Sequence, residues 1–511
     1  MIAVHYTKED LVDRESSLFK KLLDAHNRLK LKDHTIWGEE AAHEALIRLD
    51  WVDLPEQSRE LLPVLDALFA KHRHLTNVVL CGMGGSSLGP EVIAQTFSKE
   101  LFILDSTDPE YIAHALTKNL ESTLVIVGSK SGSTIETASQ KSFFEKIFED
   151  SGLNKYEHMI IITDPNSPLD LSARDAGFTV INANPNVGGR FSVLGAFGLV
   201  PSALVGIDVS VLLDSAAETK ELLFKDPEPA LLAAYALITG TQQYFSITDQ
   251  GSGMPGLSDW IEQLVAESTG KDGVGRLPIV LDNFKISPSD NHLSVSMHTD
   301  ADLVIRGDLG SQFFFWQWIT ALVGAGLSID PFNQPNVQES KLASGALLEL
   351  WGNSLPTLDA HKEDGAIAFF DEVPTVKELL SKFIKTVSPD GYVAIMAYMD
   401  RDQDSAIKEL QDILSQKIKK PVTFGWGPRF LHSTGQFHKG GQPNGSFLQI
   451  TAECTRDYEI PGKDFTFTTL LMAQAQGDYK ALEARGLKIE RLHLLNRAQG
   501  IKELIAIARS L

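Results

Sequence analysis

The stretch Thr123-Leu-Val-Ile-Val-Gly-Ser-Lys-Ser-Gly-Ser-Thr-Ile-Glu-Thr137 decides the fold class of this chain. It opens with an apolar, β-branched run, which is typical of a strand buried in a parallel sheet. From Ile135 to Phe148 apolar residues recur at roughly helical spacing, which predicts a strand, a loop and a helix in that order. Further strand-like runs alternate with helical ones over 77–81, 101–105, 158–163 and 178–182. This alternation predicts an α/β fold with a doubly wound parallel sheet.

The loop after this strand is rich in hydroxyl groups. Ser129, Ser131 and Thr134 place hydroxyls, and Lys130 an ammonium group, at the N-terminal end of the predicted helix. Unpaired backbone N–H groups and the positive end of the helix dipole already favour an anion there. We therefore expect these four residues to bind a phosphate monoester. The alternative is an ordinary N-cap, because Ser and Thr are common at that position.

A second glycine-serine loop, Gly82-Met-Gly-Gly-Ser-Ser-Leu-Gly-Pro90, follows the strand-like run 77–81. Its glycines let the backbone approach a ligand closely, and we expect Gly85 and Ser86 to contact it. Two such loops at strand ends predict one shared crevice. Ser87 stands where the dinucleotide fingerprint needs glycine, and the Gly-Lys-Ser/Thr ending of an ATP-binding loop is absent. We therefore expect no nicotinamide or nucleotide cofactor.

The composition predicts a cytoplasmic protein. Lys and Arg number 46 against 67 Asp and Glu, and the net charge of −21 argues against nucleic acid and anionic membranes as partners. The two cysteines, Cys81 and Cys454, are too few for a disulfide framework. The N-terminus has no basic region followed by an apolar core, and no run reaches the roughly 18 apolar residues of a membrane span. We expect a soluble protein that is not exported.

The order of the predicted elements indicates the domain organisation. Residues 1–70 are charged and helix-like, and we expect a helical lead-in with no strand before Asn77. Residues 71–225 form a first α/β subdomain, and the charged stretch from Glu218 to Glu228 leads into a second over 226–511. The strand candidates that we expect to form this second α/β layer are 278–281, 303–305, 392–397, 422–426, 446–451 and 491–495.

At several independent places the sequence is similar to one enzyme family. The two loops above, Gly188-Gly-Arg-Phe-Ser192, Glu267-Ser-Thr-Gly-Lys271 and Gln334-Pro-Asn-Val-Gln-Glu-Ser-Lys341 together resemble the motifs of the glucose-6-phosphate isomerases. The resemblance implies two sugar-isomerase-type, doubly wound parallel-sheet subdomains, a sugar phosphate substrate and no cofactor. Because the family's enzymes are mostly dimers, it also implies a homodimer. The chain resembles the isomerase part of some bacterial fusions with a transaldolase, but it is too short to hold both enzymes.

The reaction implied by the resemblance moves a proton between C2 and C1 of an open sugar through a cis-enediolate. It needs a base and a cation beside the developing oxyanion. Glu267, near the end of a helix predicted over 260–267, is implied as the base, with a solvated surface acid as the alternative. Arg190 follows two glycines, and its implied role is to stabilise the enediolate. The alternative for Arg190 is a salt bridge that pins its loop.

Lys341 closes a segment that resembles the family pattern Asp-Gln-Pro-Gly-Val-Glu-x-x-Lys, with Asn333 in place of the aspartate. The resemblance implies that Lys341 exchanges a proton with the ring oxygen when the sugar ring opens. It also implies that Gln334 hydrogen-bonds the sugar. A lysine at a helix start is otherwise a solvated side chain.

The histidine that assists ring opening in the family is where this chain departs from the pattern. The family places it in a Gly-Thr-Asn-Gly-Gln-His motif between the base and the lysine, and this chain has no such motif there. Thr434-Gly-Gln-Phe-His438 echoes it after Lys341, so we predict a rearranged order in which His438, or failing that His432, completes the site. A plain loop histidine is one alternative. Metal binding is another, but no Cys or carboxylate partner has ligand spacing, and we expect no metal.

The resemblance therefore predicts an isomerase of glucose 6-phosphate and fructose 6-phosphate. A related isomerase that also accepts mannose 6-phosphate would keep every motif. A non-catalytic phosphosugar sensor would keep the loop around Ser131 but lack the set formed by Glu267, Arg190 and Lys341, which this chain has.

Overall fold

The computed structural model describes residues 2–240, 243–282, 292–356 and 360–511. These residues form two units. The first holds the residues up to Asp105 together with 118–282 and 292–334, and the second holds Ser106–Thr117 and Pro335–Leu511. A short segment from the first quarter of the sequence therefore belongs to the second unit.

The N-terminal residues contribute a strand and four helices. The helices are α1 (Ser17–Leu29), α2 (Glu39–Leu46), α3 (Leu54–Gln57) and α4 (Leu62–His72), which confirms the helical lead-in. The prediction of no strand before Asn77 is wrong, because Ala3–Tyr6 form β1, which pairs antiparallel with the strand Leu303–Arg306. Four residues are too few for a periodic pattern to predict a strand, and the strand that pairs with β1 lies about 300 residues further along the sequence.

The first sheet of the first unit consists of parallel strands. They are β2 (Asn77–Gly82), β3 (Phe102–Leu104), β4 (Thr123–Gly128), β5 (Met159–Thr163) and β6 (Thr179–Asn182), in the order β3-β2-β4-β5-β6. The central strand β4 is buried along its whole length, as expected for an apolar strand covered on both faces. The connecting helices are α5 (Leu88–Thr96), α6 (Pro109–Leu116), α7 (Ile135–Asp150), α8 (Lys155–His158) and α9 (Pro168–Ala176), of which α6 belongs to the second unit. The predicted parallel sheet is confirmed.

A second sheet in the first unit combines β1 with four later strands. These are β7 (Tyr244–Thr248), β8 (Leu277–Val280), β9 (Leu293–Ser296) and β10 (Leu303–Arg306), and the order is β1-β10-β9-β7-β8. The associated helices are α10 (Ala196–Leu204), α11 (Ser210–Lys225), α12 (Glu228–Thr239), α13 (Leu257–Thr269) and α14 (Leu309–Leu327). α14 is apolar and buried over most of its length, and it packs against α11, α12 and α13. The charged stretch from Glu218 to Glu228 lies at the junction of α11 and α12, within the first unit.

The second unit has a sheet of its own. Its strands are β11 (Lys362–Asp364), β12 (Ile367–Phe369), β13 (Tyr392–Tyr398), β14 (Val422–Trp426), β15 (Gly445–Ala452) and β16 (Lys488–Leu494), in the order β11-β12-β16-β15-β13-β14. The last four strands are parallel, and β11 and β12 form an antiparallel hairpin beside them. The helices are α15 (Val337–Trp351), α16 (Val376–Lys385), α17 (Glu409–Ile418), α18 (Gly435–Gly440), α19 (Phe467–Ala484) and α20 (Arg497–Arg509).

The strand candidates after residue 226 thus divide between two sheets, where the sequence suggested one layer. The physical reason is that the two groups of strands bury separate cores. Val295 and Ile305 belong to the core of the first unit, whereas Ile395 and Leu448 belong to a distinct core of the second. Within the described ranges, no helix is both long enough and apolar enough to cross a lipid bilayer.

Candidate active site

The two glycine-serine loops lie side by side at one edge of the first sheet. β2 and β4 are hydrogen-bonded neighbours, and Gly82 at the end of one strand is opposite Gly128 at the end of the other. A Cβ atom added to Gly128 would lie 3.4 Å from the Cβ atom of Ser86, so the loops leave the sheet in contact. The structure therefore brings together the two loops that the sequence predicted to share a crevice.

The first of these loops presents hydroxyl groups before the first turn of α7. Ser129 is buried and its Oγ accepts a backbone N–H at 3.2 Å, whereas Ser131 and Ser133 are exposed and share a hydrogen bond of 2.7 Å. Thr134 occupies the N-cap position of α7, but its side chain makes no capping hydrogen bond. The N-cap alternative is therefore not what the structure shows at this residue. Binding of an anion by this loop stays a prediction.

Lys130, which we expected to bind phosphate, is engaged within its own surroundings. Its ammonium lies 2.5 Å from Asp164 Oδ2 and donates to the carbonyl of Pro185 at 3.1 Å. Burial lowers the pKa of Lys130 and raises the pKa of Asp164, so desolvation outweighs the attraction between the two charges. In this structure the Lys130 side chain therefore ties its loop to neighbouring segments.

The second loop packs tightly against the segment that carries the predicted arginine. A Cβ atom at Gly85 would lie 2.1 Å from the carbonyl oxygen of Gly189, so glycine is required at position 85 for this approach. The Ser86 hydroxyl accepts the N–H of Met83 and donates to its carbonyl, both at 3.0 Å. Gly85 and Ser86 thus fix the loop against Gly189 and, through it, position Arg190.

The Arg190 guanidinium is buried and held by four oxygens from two segments, Ser268 and residues 331–334. Nε donates to Ser268 Oγ at 2.8 Å and Nη1 to Gln334 Oε1 at 2.6 Å. Nη2 donates to the carbonyls of Pro331 and Asn333 at 2.6 and 3.0 Å. A guanidinium fixed through several hydrogen bonds is oriented before any ligand binds, and here the predicted sugar contact Gln334 is one of its partners.

The Glu267 carboxylate lies beside this guanidinium. Its Oε1 is 3.3 Å from Arg190 Nη1, and Gln263 donates to its Oε2 at 3.2 Å. Glu267 is 7% exposed, so the alternative of a solvated surface acid is wrong. The helix that carries it, α13, is longer than predicted and is buried along most of its length. The salt bridge considered as the alternative for Arg190 is present too, and its partner is the predicted base.

Lys271, at the end of the motif that begins with Glu267, is a residue for which we predicted no role from the sequence. It is 1% exposed, and its ammonium donates to the carbonyls of Asp330 and Asn333 at 2.6 and 2.7 Å and to Asn333 Oδ1 at 2.9 Å. Burial and the charge of Arg190 lower the pKa of Lys271 to about 7. Its only sequence signal is its place in the motif, because a lysine by default lies on the surface.

The first unit therefore places a carboxylate and an amide on the same guanidinium. The carboxylate of Glu267 can take up and release a proton, and Nη1 of Arg190 is the guanidinium nitrogen nearest to it. Gln334 adds an amide to the same nitrogen. Such a set can move a proton between neighbouring carbon atoms while the cation stabilises an oxyanion.

Lys341 lies on α15 in the second unit, and its side chain is exposed. Its neighbour Glu339 pairs with Arg485, with Nε and Oε2 at 2.8 Å. The structure therefore places Lys341 on a helix, in agreement with the sequence, and leaves its ammonium in reach of solvent.

The two candidate histidines have different environments in the second unit. His438, on α18, is 5% exposed, and its Nδ1 is 2.8 Å from the hydroxyl of Tyr392, on whose ring it stacks. Burial lowers the pKa of His438 to about 3, so the ring is neutral near neutral pH. His432 ends the short 3-10 helix Arg429–His432 and is half-buried. In the part of the chain that the structure describes, no group of three or more His, Cys, Asp or Glu side chains is arranged to hold a metal ion.

The fold places the chain in the class of α/β proteins built on parallel sheets. A crystal structure of a glucose-6-phosphate isomerase from Chlamydia trachomatis matches it with a TM-score of 0.55 at 18% identity, over 75% of this chain and 91% of that one. Within that class, residues 69–271 match the family model of phosphoglucose isomerase. The matched segment contains both glycine-serine loops, Arg190 and Glu267, and it ends at Lys271.

Proteins that are similar in sequence are named glucose-6-phosphate isomerases. A probable glucose-6-phosphate isomerase of Haloarcula marismortui is 31% identical over 248 residues, which are 47% of this chain and 55% of that protein. A glucose-6-phosphate isomerase of a Cyanothece species is 29% identical over 377 residues, which are 67% of this chain and 68% of that protein. The matches therefore span between 55% and 68% of the length of these relatives.

Proposed function

We propose that this chain is an aldose–ketose isomerase that interconverts glucose 6-phosphate and fructose 6-phosphate. The observation that carries the proposal is the buried contact between the Glu267 carboxylate and Nη1 of Arg190 at 3.3 Å. A base beside a fixed cation is what proton transfer through an enediolate requires. The family match over residues 69–271 and the names of the relatives support the same reaction.

In the proposed mechanism Glu267 takes the proton from C2 of the open aldose. The electron pair of the broken C–H bond forms the C1–C2 double bond, and the aldehyde oxygen becomes the enediolate oxyanion, which Arg190 stabilises. The oxyanion takes up a proton as the C2 hydroxyl loses one, and Glu267 returns its proton to C1, which gives the ketose. Gln334 hydrogen-bonds the sugar beside the same guanidinium nitrogen. Since the proton leaves one carbon and returns to the next, no redox partner is needed.

The phosphate of the substrate is proposed to bind at the start of α7. Ser131 is exposed there, Ser129 and Thr134 lie in the same loop, and the amides of the first turn are directed at the same place. Lys130 is paired with Asp164, so the hydroxyls and amides rather than its ammonium are the proposed ligands. Gly85 and Ser86 hold the neighbouring loop in place beside them.

Ring opening is proposed to use Lys341 and one histidine. Of the two histidines, His432 is the better candidate for a ligand contact. His438 is buried, hydrogen-bonded to Tyr392, and held neutral by a pKa of about 3, which is unsuited to donating a proton near neutral pH. The roles of Lys341 and His432 stay predictions. Measuring turnover separately on each anomer of the sugar phosphate tests them.

A non-catalytic phosphosugar sensor is the less favoured candidate, because it has no need of a buried base in contact with a guanidinium. Acceptance of mannose 6-phosphate, the homodimer and the likeness to the isomerase part of transaldolase fusions stay predictions.

The deciding experiment is a coupled assay on fructose 6-phosphate and mannose 6-phosphate, with the wild type, Glu267→Gln and Glu262→Gln. Glu262 is a control on the same helix, and it is also largely buried. We expect Glu267→Gln to lower kcat by about 10²- to 10⁴-fold, the usual contribution of a positioned base, and Glu262→Gln to leave it near the wild-type value. Equal turnover in both variants would remove Glu267 as the base, and a wild type inactive on both sugars would overturn the proposed function.

A further inference from the structure

Two buried cations share one turn of the first unit, residues 330–333. The Lys271 ammonium donates to three oxygens of this turn, the carbonyls of Asp330 and Asn333 and the Oδ1 atom of Asn333. Nη2 of Arg190 donates to the carbonyls of Pro331 and Asn333. The Asn333 carbonyl therefore accepts from both cations, at 2.7 Å from Lys271 and 3.0 Å from Arg190.

We propose that Lys271 is a positioning residue of the isomerase. It fixes the turn 330–333, and this turn holds Arg190 and Gln334 in place. This inference rests on the proposed function and adds to it a residue for which we predicted no role from the sequence. Gln334 directly follows the turn and accepts from Nη1 of Arg190 at 2.6 Å. A displacement of the turn would therefore move both groups that are proposed to contact the reacting end of the sugar.

The contacts of Lys271 exclude a direct chemical role. An ammonium group has three N–H donors, and three oxygens within 2.9 Å accept from Lys271. The side chain is also 1% exposed, so its ammonium has neither a spare donor nor free surface for a further contact. Lys271 consequently acts through Arg190 and Gln334.

Removal of this ammonium would leave buried oxygens without donors. An unsatisfied buried carbonyl costs about 1–3 kcal/mol, so the surroundings rearrange to satisfy it. Arg190 is the nearest other donor, because it already bonds the Asn333 carbonyl. We expect its guanidinium to be drawn toward the turn and away from Glu267, which weakens the contact made by Nη1.

The protonation state of Lys271 gives this arrangement a pH dependence. Burial and the Arg190 charge lower the pKa of Lys271 to about 7, against the charges of Asp330, Glu267 and Asp272, which raise it. Below that pH the ammonium supplies three donors, and above it the neutral amine supplies two for the same three acceptors. We therefore expect the turn to be held less firmly as the pH rises through about 7.

The first arm of the test compares Lys271→Met with Arg276→Met. Arg276 is a matched control, because it is also a buried cation that donates to carbonyl groups, those of Leu237, Ile238 and Gly275 at 2.7–2.8 Å. None of these acceptors belongs to the turn. Misplacement by about 1 Å can cost 10²-fold in rate, so we expect Lys271→Met to lower kcat by about 100-fold. We expect KM to change by less than about threefold, and Arg276→Met to lose stability with kcat near the wild-type value.

The second arm uses Asn333→Asp, which places a carboxylate where the ammonium now meets an amide oxygen. An opposite charge in contact raises the pKa of a lysine by about 1–3 units, so the alkaline limb of kcat moves to higher pH. A role confined to stability would not shift this limb. If Lys271→Met does not fold, Asn333→Asp by itself still tests the inference.

Equal kcat values for folded Lys271→Met and the wild type would overturn the inference while the proposed function stands. The inference also fails if Arg276→Met loses kcat as strongly as Lys271→Met, or if Asn333→Asp leaves the alkaline limb in place. A wild type without activity on either sugar phosphate would overturn the proposed function and this inference together.

Discussion

Each unit of the molecule contains a lysine that is almost completely buried, and the two are held in different ways. In the first unit, Lys271 meets only neutral oxygens among the acceptors of its hydrogen bonds. In the second unit, Lys439 lies 2.6 Å from the carboxylate of Asp478, with side chains 2% and 0% exposed, and Ser340 donates to the same carboxylate oxygen at 3.1 Å. The pair around Lys439 balances its charge inside the fold, whereas Lys271 is left able to titrate near neutral pH.

The two buried lysines differ in whether their charge is balanced by a neighbouring carboxylate. A paired charge is costly to separate but has no need of a ligand. Lys271 is held mainly by backbone carbonyls and has Arg190, a second cation, as its neighbour. Such an arrangement fixes the positions of neighbouring groups but does not balance the charge of the lysine. We therefore propose a role in the reaction for Arg190, Glu267 and Lys271, and we expect Lys439 and Asp478 to contribute to stability instead.

The largest expected effect on stability comes from removing the carboxylate beside Lys439, which leaves this lysine without a charged partner, like Lys271. Asp478→Asn would leave the Lys439 ammonium buried without a carboxylate, and removal of one partner of a buried pair costs about 3–5 kcal/mol. We expect the free energy of unfolding in urea to fall by that amount.

The matched control is Glu339→Gln, which breaks an exposed ion pair with Arg485 in the same unit. Exposed pairs contribute about 0–1 kcal/mol, so this variant should unfold close to the wild-type midpoint. Equal losses in the two variants would show that the distinction between the two lysines has no energetic basis.

A smaller effect concerns the pH dependence of stability. The pKa of His438 is about 3 in the folded protein, below its ordinary value of 6.5, so the unfolded chain takes up this proton first as the pH falls. Stability from this group is therefore complete above pH 6.5 and is lost on acidification toward pH 3, at up to about 1.4 kcal/mol per pH unit.

His438→Gln removes the titrating group, and we expect the difference in unfolding free energy between the two proteins to narrow as the pH falls from 6.5. His26 and His292, whose pKa values burial lowers to about 4, are present in both proteins and cancel in the comparison. A constant difference across the acidic range would mean that the His438 ring is not held neutral by its surroundings.

The smallest effect is expected at the phosphate loop of the first unit. Ser131 is exposed, so Ser131→Ala should leave the free energy of unfolding unchanged. One hydrogen bond to the substrate contributes about 0.5–1.5 kcal/mol, and we expect KM for fructose 6-phosphate to rise by about two- to tenfold at constant kcat. The inhibition constant of inorganic phosphate should rise by the same factor in Ser131→Ala. An unchanged inhibition constant would mean that the substrate phosphate does not bind at Ser131.

The first sheet could be predicted because its strands are buried on both faces and alternate with helices. Runs such as 123–127 and 158–163 are apolar without interruption, which is a strong local signal. β7 (Tyr244–Thr248) and β9 (Leu293–Ser296) mix apolar and polar residues, and β1 has four residues, so local patterns did not announce them. Which strands share a sheet depends on pairing across long separations, and for this reason two sheets were taken for one layer.

At the candidate site, the resemblance singled out Arg190, Glu267 and Gln334, and the structure brings these three into contact. Their burial could not be predicted, since an average glutamate or arginine lies at the surface. Lys271 was missed because its partners are mostly backbone carbonyls, which leave no trace in the side-chain pattern. The Tyr392 ring that stacks on His438 comes from β13, 46 residues away in the sequence.

Helix α6 imposes an order of events on biosynthesis. It is made early, but its N-cap residue Asp108 is fully buried and accepts from both terminal nitrogens of Arg497, 389 residues later. At about 5–20 residues per second, a ribosome needs roughly 20–80 s to supply that arginine. Until then burial of the Asp108 carboxylate is costly, so we expect α6 to reach its final position only after Arg497 has been made. Cutting the gene at residue 335 to express two halves would leave this helix attached to the wrong half.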